Sequence, residues 1–136
     1  QISIGSMEDK LGFVQYAAKL ETLGYSLYAT TGTHKVLTEA GIHATRVNKI
    51  AQGVPHTLSL IESGKIDLII NTPGEHTKEE VSDGFSMRRK AVDSDVVLIN
   101  DIKLAEALVN ALEDLDEKGG VRKQDVFDHE YFLKLQ

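Results

Sequence analysis

Thr30-Thr31-Gly32-Thr33 sets three hydroxyls around one glycine, between Tyr28-Ala29 and His34. A strand that ends in such a run and opens a helix offers one anion its backbone N–H groups, its hydroxyls and the positive end of a helix dipole. The matching ligand chemistry is a phosphate on a small molecule. Other polar residues fall at comparable points: Gly5, Ser6 and Lys10 after a first strand, Asn48 and Lys49 after a third, and Asn71, Thr72 and Gly74 after a fourth. In an open parallel sheet, ligands bind outside the carboxyl ends of the strands. Lysines, threonines and asparagines on that one rim make an anion pocket.

Each element alone carries a blander reading. A Thr-Gly turn serves as a helix N-cap, Asn48-Lys49 as a solvated loop pair, and Asn71 as a group that satisfies loop backbone. The set convinces where its members do not. Arg88-Arg89 fits a helix surface or an interface, and Glu79-Glu80 and Asp114-Asp116-Glu117 fit solvated charge. His34, His43, His56, His76 and His129 show no HxxxH or HxH spacing, so a metal site is not expected. Neither GxSxG, Walker A nor GxGxxG occurs.

The elements needed to position this rim are legible as an alternation. Strands are expected at Ile2 to Ile4, Ser26 to Thr30, His43 to Val47, Asp67 to Asn71 and Val96 to Ile99. The fourth holds Leu68-Ile69-Ile70, the apolar run of a strand buried on both faces. Helices are expected from Ser6 to Gly24, over Thr33 to Ala40, Thr57 to Ser63, Phe85 to Ser94 and Lys103 to Leu112, with a loop from Thr72 to Gly84. Five strands alternating with five helices predict an α/β fold, a doubly wound, mostly parallel sheet flanked by helices in three layers. Residues 113–136 read as a charged linker through Gly119-Gly120 to an amphipathic helix carrying Val126, Phe127, Tyr131, Phe132 and Leu135.

With 136 residues and 41% hydrophobic content, one domain over residues 1–136 is expected, its core at about 2–112. A net charge of −6 provides no basic stripe for a nucleic-acid polymer. The absence of cysteine removes disulfides and thiolate metal sites. The longest apolar run is too short to cross a bilayer, so no membrane partner and a cytoplasmic location are expected. Gln1 lies inside a strand without initiator methionine or leader, which predicts a domain of a longer polypeptide.

The ordered set A-T-x-G-T after a strand, V-N-K-I, G-x-P-H, G-K-I-D-L-I-I-N-T and M-R-R-x-A-V resembles the methylglyoxal-synthase-like (MGS-like) domain over about residues 2–112. It is most similar to the version that forms the C-terminal allosteric domain of the carbamoyl phosphate synthetase large subunit. The resemblance implies an effector-binding module without catalysis or cofactor of its own. The parent would be an ATP- and Mg-dependent ligase of pyrimidine and arginine biosynthesis, and the effector UMP or IMP. Implied partners are the rest of the large subunit and its glutaminase small subunit, with homo-oligomerisation left open. Matching motif to motif carries the nucleotide contacts onto Ser3, Lys10, Thr30, Thr33, Lys49, Asn71 and Thr72, to which the turn itself adds Thr31 and Gly32.

Two departures bear on affinity. Pro73 stands where the bacterial pattern tends to carry a further hydroxyl, which removes an N–H donor. Ser6 to Lys10 is one residue longer than in those relatives, so Lys10 is the least secure carry-over. An alternative on the same fold is methylglyoxal synthase, which acts on dihydroxyacetone phosphate and needs a carboxylate base. Matching on Gly53 and Gly64-Lys65-Ile66-Asp67 places Val54 at that position, and valine cannot take a proton. A second alternative is an interaction module that binds no ligand. Gathering donors around an empty anion hole argues against it.

Overall fold

The computed structural model describes residues 1–72 and 78–118, and only the backbone for 78–84. Five strands, β1 (Ile2–Ser3), β2 (Tyr28–Thr30), β3 (Thr45–Val47), β4 (Leu68–Asn71) and β5 (Val97–Ile99), form one sheet in the order β3-β2-β1-β4-β5. Every pairing is parallel. Helices α1 (Met7–Thr22), α2 (Thr31–Glu39), α3 (Thr57–Glu62), α4 (Lys78–Asp93) and α5 (Ile102–Glu117) follow the strands in alternation, with a 3-10 turn at Ile50–Gln52 before α3. The expected doubly wound α/β architecture is therefore present.

Two apolar cores hold the layers. Phe13, Ala17 and Leu20 of α1, Leu37 of α2, and Ala105, Leu108, Val109 and Leu112 of α5 pack on Ile2, Ala29, Ile70 and Ile99. On the opposite face Leu60 and Ile61 of α3, and Met87 and Ala91 of α4, pack on Val47 and Ile69. Each such fully buried Ile, Leu or Phe stabilises the fold by roughly 1.5–3 kcal/mol. Adjacent residues Ile69 and Ile70 belong to different cores, as strand pleating requires. That is why β4 reads as an unbroken apolar run.

The order in which strands are added reverses at β1. The connections through α1 and α2 move outward to β2 and β3; the one through α3 returns to β4 on the other side. The crevice between the carboxyl ends of β1 and β4 is thus the topological switch point, where such sheets take ligands.

Several boundaries differ from expectation. The loop foreseen over Thr72 to Gly84 is shorter, because α4 begins at Lys78. Lys and Glu are good helix formers without an apolar signature, so a polar first turn reads as loop. Helix α5 continues past Leu112 to Glu117, because Leu115 extends the apolar stripe beneath a run of acids and packs on the core. Strands β2 and β3 are shorter than foreseen. Helix α2 starts at Thr31 rather than Thr33, so the threonine run is the first turn of the helix itself. Pro73, His76, His129, Gly119-Gly120 and the foreseen terminal helix lie outside the described residues.

Candidate functional site

The register aligns several expected residues in one row. Ser3 pairs with Asn71 across β1 and β4, and Thr30 pairs with Val47 across β2 and β3. Thr30 Oγ1 donates to Ser3 Oγ at 2.9 Å, which ties the ends of β1 and β2 together. Thr30, Ser3 and Asn71 therefore share the rim on the α3/α4 face.

Two further threonines close the crevice from the α1/α2 side. Thr33 Oγ1 accepts the Ile4 N–H at 3.0 Å, and Thr72 Oγ1 accepts the Gly5 N–H at 3.2 Å. Their side chains are only 1% and 5% exposed, so these bonds satisfy backbone donors that water cannot reach. Ile4 and Gly5 continue β1 just where a ladder partner runs out. The threonines replace it.

The start of α2 differs from the other described helix starts. Ser6 caps α1 by accepting the Asp9 N–H at 3.1 Å, His56 Nδ1 accepts the Ser59 N–H at 3.1 Å for α3, and Asp101 accepts the Leu104 N–H at 3.0 Å for α5. Thr30, at the N-cap of α2, makes no such side-chain bond; its hydroxyl is turned to Ser3, to which it donates. The first turn at Thr31, Gly32 and Thr33 is left without a side-chain acceptor at the positive end of the helix.

Lys10 adds charge to that end. A Cβ placed on Gly32 would lie 3.1 Å from Lys10 Nζ and 3.3 Å from its Cε, so the ammonium rests directly over the glycine. No carboxylate pairs with Lys10 among the described residues. A cation at a helix N-terminus opposes the dipole. An anion between them reverses the sign of both interactions. Lys10, the least secure carry-over from motif matching, is thus the best placed lysine.

Lys49 follows β3, an outer strand next to β2, and is exposed. Its backbone N–H donates to Gln52 Oε1 at 3.1 Å, and its carbonyl accepts from Gln52 N–H at 2.9 Å, fixing the 3-10 turn. Asn48 Nδ2 reaches the carbonyls of Gly53 and Val54 at 3.3 and 3.4 Å, so it braces the following loop. The structure brings Ser3, Lys10, Thr30, Thr31, Gly32, Thr33, Asn71 and Thr72 to one crevice and leaves Lys49 at its outer edge. Val54 is 72% exposed. Arg88 and Arg89 are exposed on α4, with Arg89 Nε 3.6 Å from Asp93 Oδ2. No cluster of three metal-ligating side chains occurs among the described residues, and none of their helices is long and apolar enough to cross a membrane.

Sequence reasoning missed a cavity at the amino ends of the strands, about 240 Å³, whose lining includes Tyr25, Leu27, Lys65, Ile66, Asp67 and Leu68. Its walls come from segments some forty residues apart, and only folding joins them. Burial, then the charges of Asp67 and Asp116, push the Tyr25 hydroxyl up to about 12. Lys65 and Asp67 both line it, so the cavity carries charge of both signs.

A sequence model described as the MGS-like domain matches residues 12–100. The chain is 44% identical over 110 residues to the carbamoyl phosphate synthase large chain of Agathobacter rectalis, covering 81% of this chain and 10% of that one. It is 46% identical over 111 residues to the C-terminal section of the same large chain from Methanopyrus kandleri, covering 82% of this chain and 20% of that one. The chain thus spans about a tenth to a fifth of the length of these curated relatives. Among solved structures, methylglyoxal synthase from Elizabethkingia anophelis superposes with a TM-score of 0.60 at 23% identity, covering 79% of this chain and 74% of that one. At that identity the likeness is one of fold.

Proposed function

The chain belongs to the MGS-like domain family, and from that premise we propose that it is an allosteric module, binding a phosphorylated small effector of the UMP or IMP type. The effector phosphate lies over the first turn of α2, between Lys10 and the hydroxyls of Thr33 and Thr72. Ser3, Thr30 and Asn71, in their row across the rim, face the sugar or base. Lys49 reaches in from the edge. The observation that carries this reading is the uncapped α2 start with an ammonium stacked over Gly32. It leaves two unfavourable features that one phosphate cures together.

The curated relatives are carbamoyl phosphate synthase large chains, which supports reading this chain as a module of such a protein. In that setting the effector acts by population shift. It binds one pose of this domain against its neighbours better than another, and so biases carbamoyl phosphate formation elsewhere in the parent. Such coupling is typically about 1–3 kcal/mol. Catalysis on a phosphorylated triose is not favoured, since Val54 supplies no base where the synthase motif needs one.

Calorimetric titration of the chain with UMP, IMP, N-acetylglutamate, phosphoribosyl pyrophosphate and dihydroxyacetone phosphate tests the reading. Saturable binding of a nucleoside monophosphate without turnover is the expected result. Silence with every phosphorylated ligand, or turnover of dihydroxyacetone phosphate, would overturn it.

A further inference from the structure

We propose that the crevice reads the charge state of its ligand, accepting a phosphate monoester as the dianion and rejecting the singly protonated monoanion. This rests on the effector reading above and deepens it. The argument begins with two bonds whose direction is unambiguous. A backbone N–H can only donate, so the Ile4 and Gly5 amides must donate to Thr33 Oγ1 and Thr72 Oγ1. Each hydroxyl has therefore filled a lone pair and keeps its proton to give. No acceptor for either proton is found among the described residues, although both side chains are more than nine-tenths buried.

The neighbouring groups have the same polarity. The N–H groups of Thr31, Gly32 and Thr33 open α2, and Lys10 Nζ stands over Gly32. Two hydroxyls, a helix N-terminus and an ammonium can each donate. Of the expected site residues, Asn71 brings a side-chain carbonyl, and it stands on the opposite face of the row. A dianionic phosphate presents three terminal oxygens with lone pairs only, which such a cradle satisfies. A monoanion presents one P–OH proton to a wall of donors, leaving a buried donor facing another.

Among the described residues, titratable groups on the elements meeting at this rim are Glu8, Asp9 and Lys10 of α1, and His34 and Lys35 of α2. To these are added Lys49 after β3, His56 before α3 and Asp101 before α5. Two of these are histidines. Each has a ring nitrogen committed to backbone: His34 Nε2 lies 3.0 Å from the Ala44 carbonyl, and His56 Nδ1 accepts the Ser59 N–H. A test must therefore separate ionisation of the ligand from ionisation of the protein.

The experiment is calorimetric titration at a series of pH values from 5 to 8 with UMP and IMP, each beside its thiophosphate counterpart, whose second ionisation lies lower. With the second ionisation of a phosphate monoester at about 6, affinity should fall about tenfold between pH 7 and pH 5. The thiophosphates should show the same fall displaced to lower pH, by the difference between the two ionisations. A flat profile, or one inflection shared by phosphate and thiophosphate, would overturn this inference while leaving the effector reading in place. Absence of binding by all four probes at every pH would sink the effector reading, and this inference with it.

Discussion

The two ends of the sheet differ in what they offer a ligand. At the carboxyl ends, hydroxyls, open amides and Lys10 gather around a crevice; at the amino ends, Tyr25, Lys65 and Asp67 are among the residues lining a cavity of about 240 Å³. Charge chooses the first, because desolvating a phosphate beside the Asp67 carboxylate opposes binding while donors and a helix N-terminus favour it. The difference teaches that unsatisfied donors mark the candidate site.

The comparison breaks most decisively at Thr33. Thr33→Val keeps the shape but strands the buried Ile4 N–H and removes a donor. It should lower stability by about 1–3 kcal/mol in chemical denaturation and weaken nucleotide binding at least about tenfold. A variant as stable and as tight-binding as the parent would refute the role of this hydroxyl. Lys10→Met should weaken UMP by about 1.5–3 kcal/mol in calorimetry. Its stability should hold or rise by about 0.3–1 kcal/mol, since a cation leaves the positive end of α2. Unchanged affinity would remove Lys10 from the site.

Smaller effects sharpen the contrast. Gly32→Ala adds a Cβ against the far end of a flexible side chain, so Lys10 can give way. Stability should change by less than about 1 kcal/mol, with alanine the better helix residue, while UMP binding weakens severalfold as the ammonium is displaced. Equal binding would show that the stacked position is unimportant. The smallest effect on binding belongs to the other end. The Tyr25 hydroxyl ionises at about 12 in the folded chain against about 10 ordinarily, so its contribution to stability is present below pH 10 and lost as pH rises toward 12. Tyr25→Phe should flatten the fall of melting temperature between pH 10 and 12 and leave UMP affinity unchanged. An altered affinity would mean that the two ends are not independent.

Much of this was legible in the sequence. The run Leu68-Ile69-Ile70 announced a strand buried on both faces, and the alternation around it announced the doubly wound sheet. The threonine run and the polar residues closing each strand fall at the carboxyl-end rim, where the alternation places them. Two things were hidden. Whether Thr30 caps its helix depends on what else its hydroxyl can reach, and Ser3, twenty-seven residues away, is known to be near only once β1 and β2 pair. The polar start of α4 and the acidic end of α5 were missed for a related reason. Apolar periodicity reports burial, and exposed helical turns have little of it.

The most direct test of the central claim is amide NMR of the chain titrated with UMP. Large, saturable shifts at Ile4, Gly5, Thr31, Gly32 and Thr33, with little change at Gly24, Tyr25, Asp67 and Leu68, are the predicted result. Shifts concentrated around Tyr25 and Asp67, or none at the start of α2 under saturating nucleotide, would contradict it.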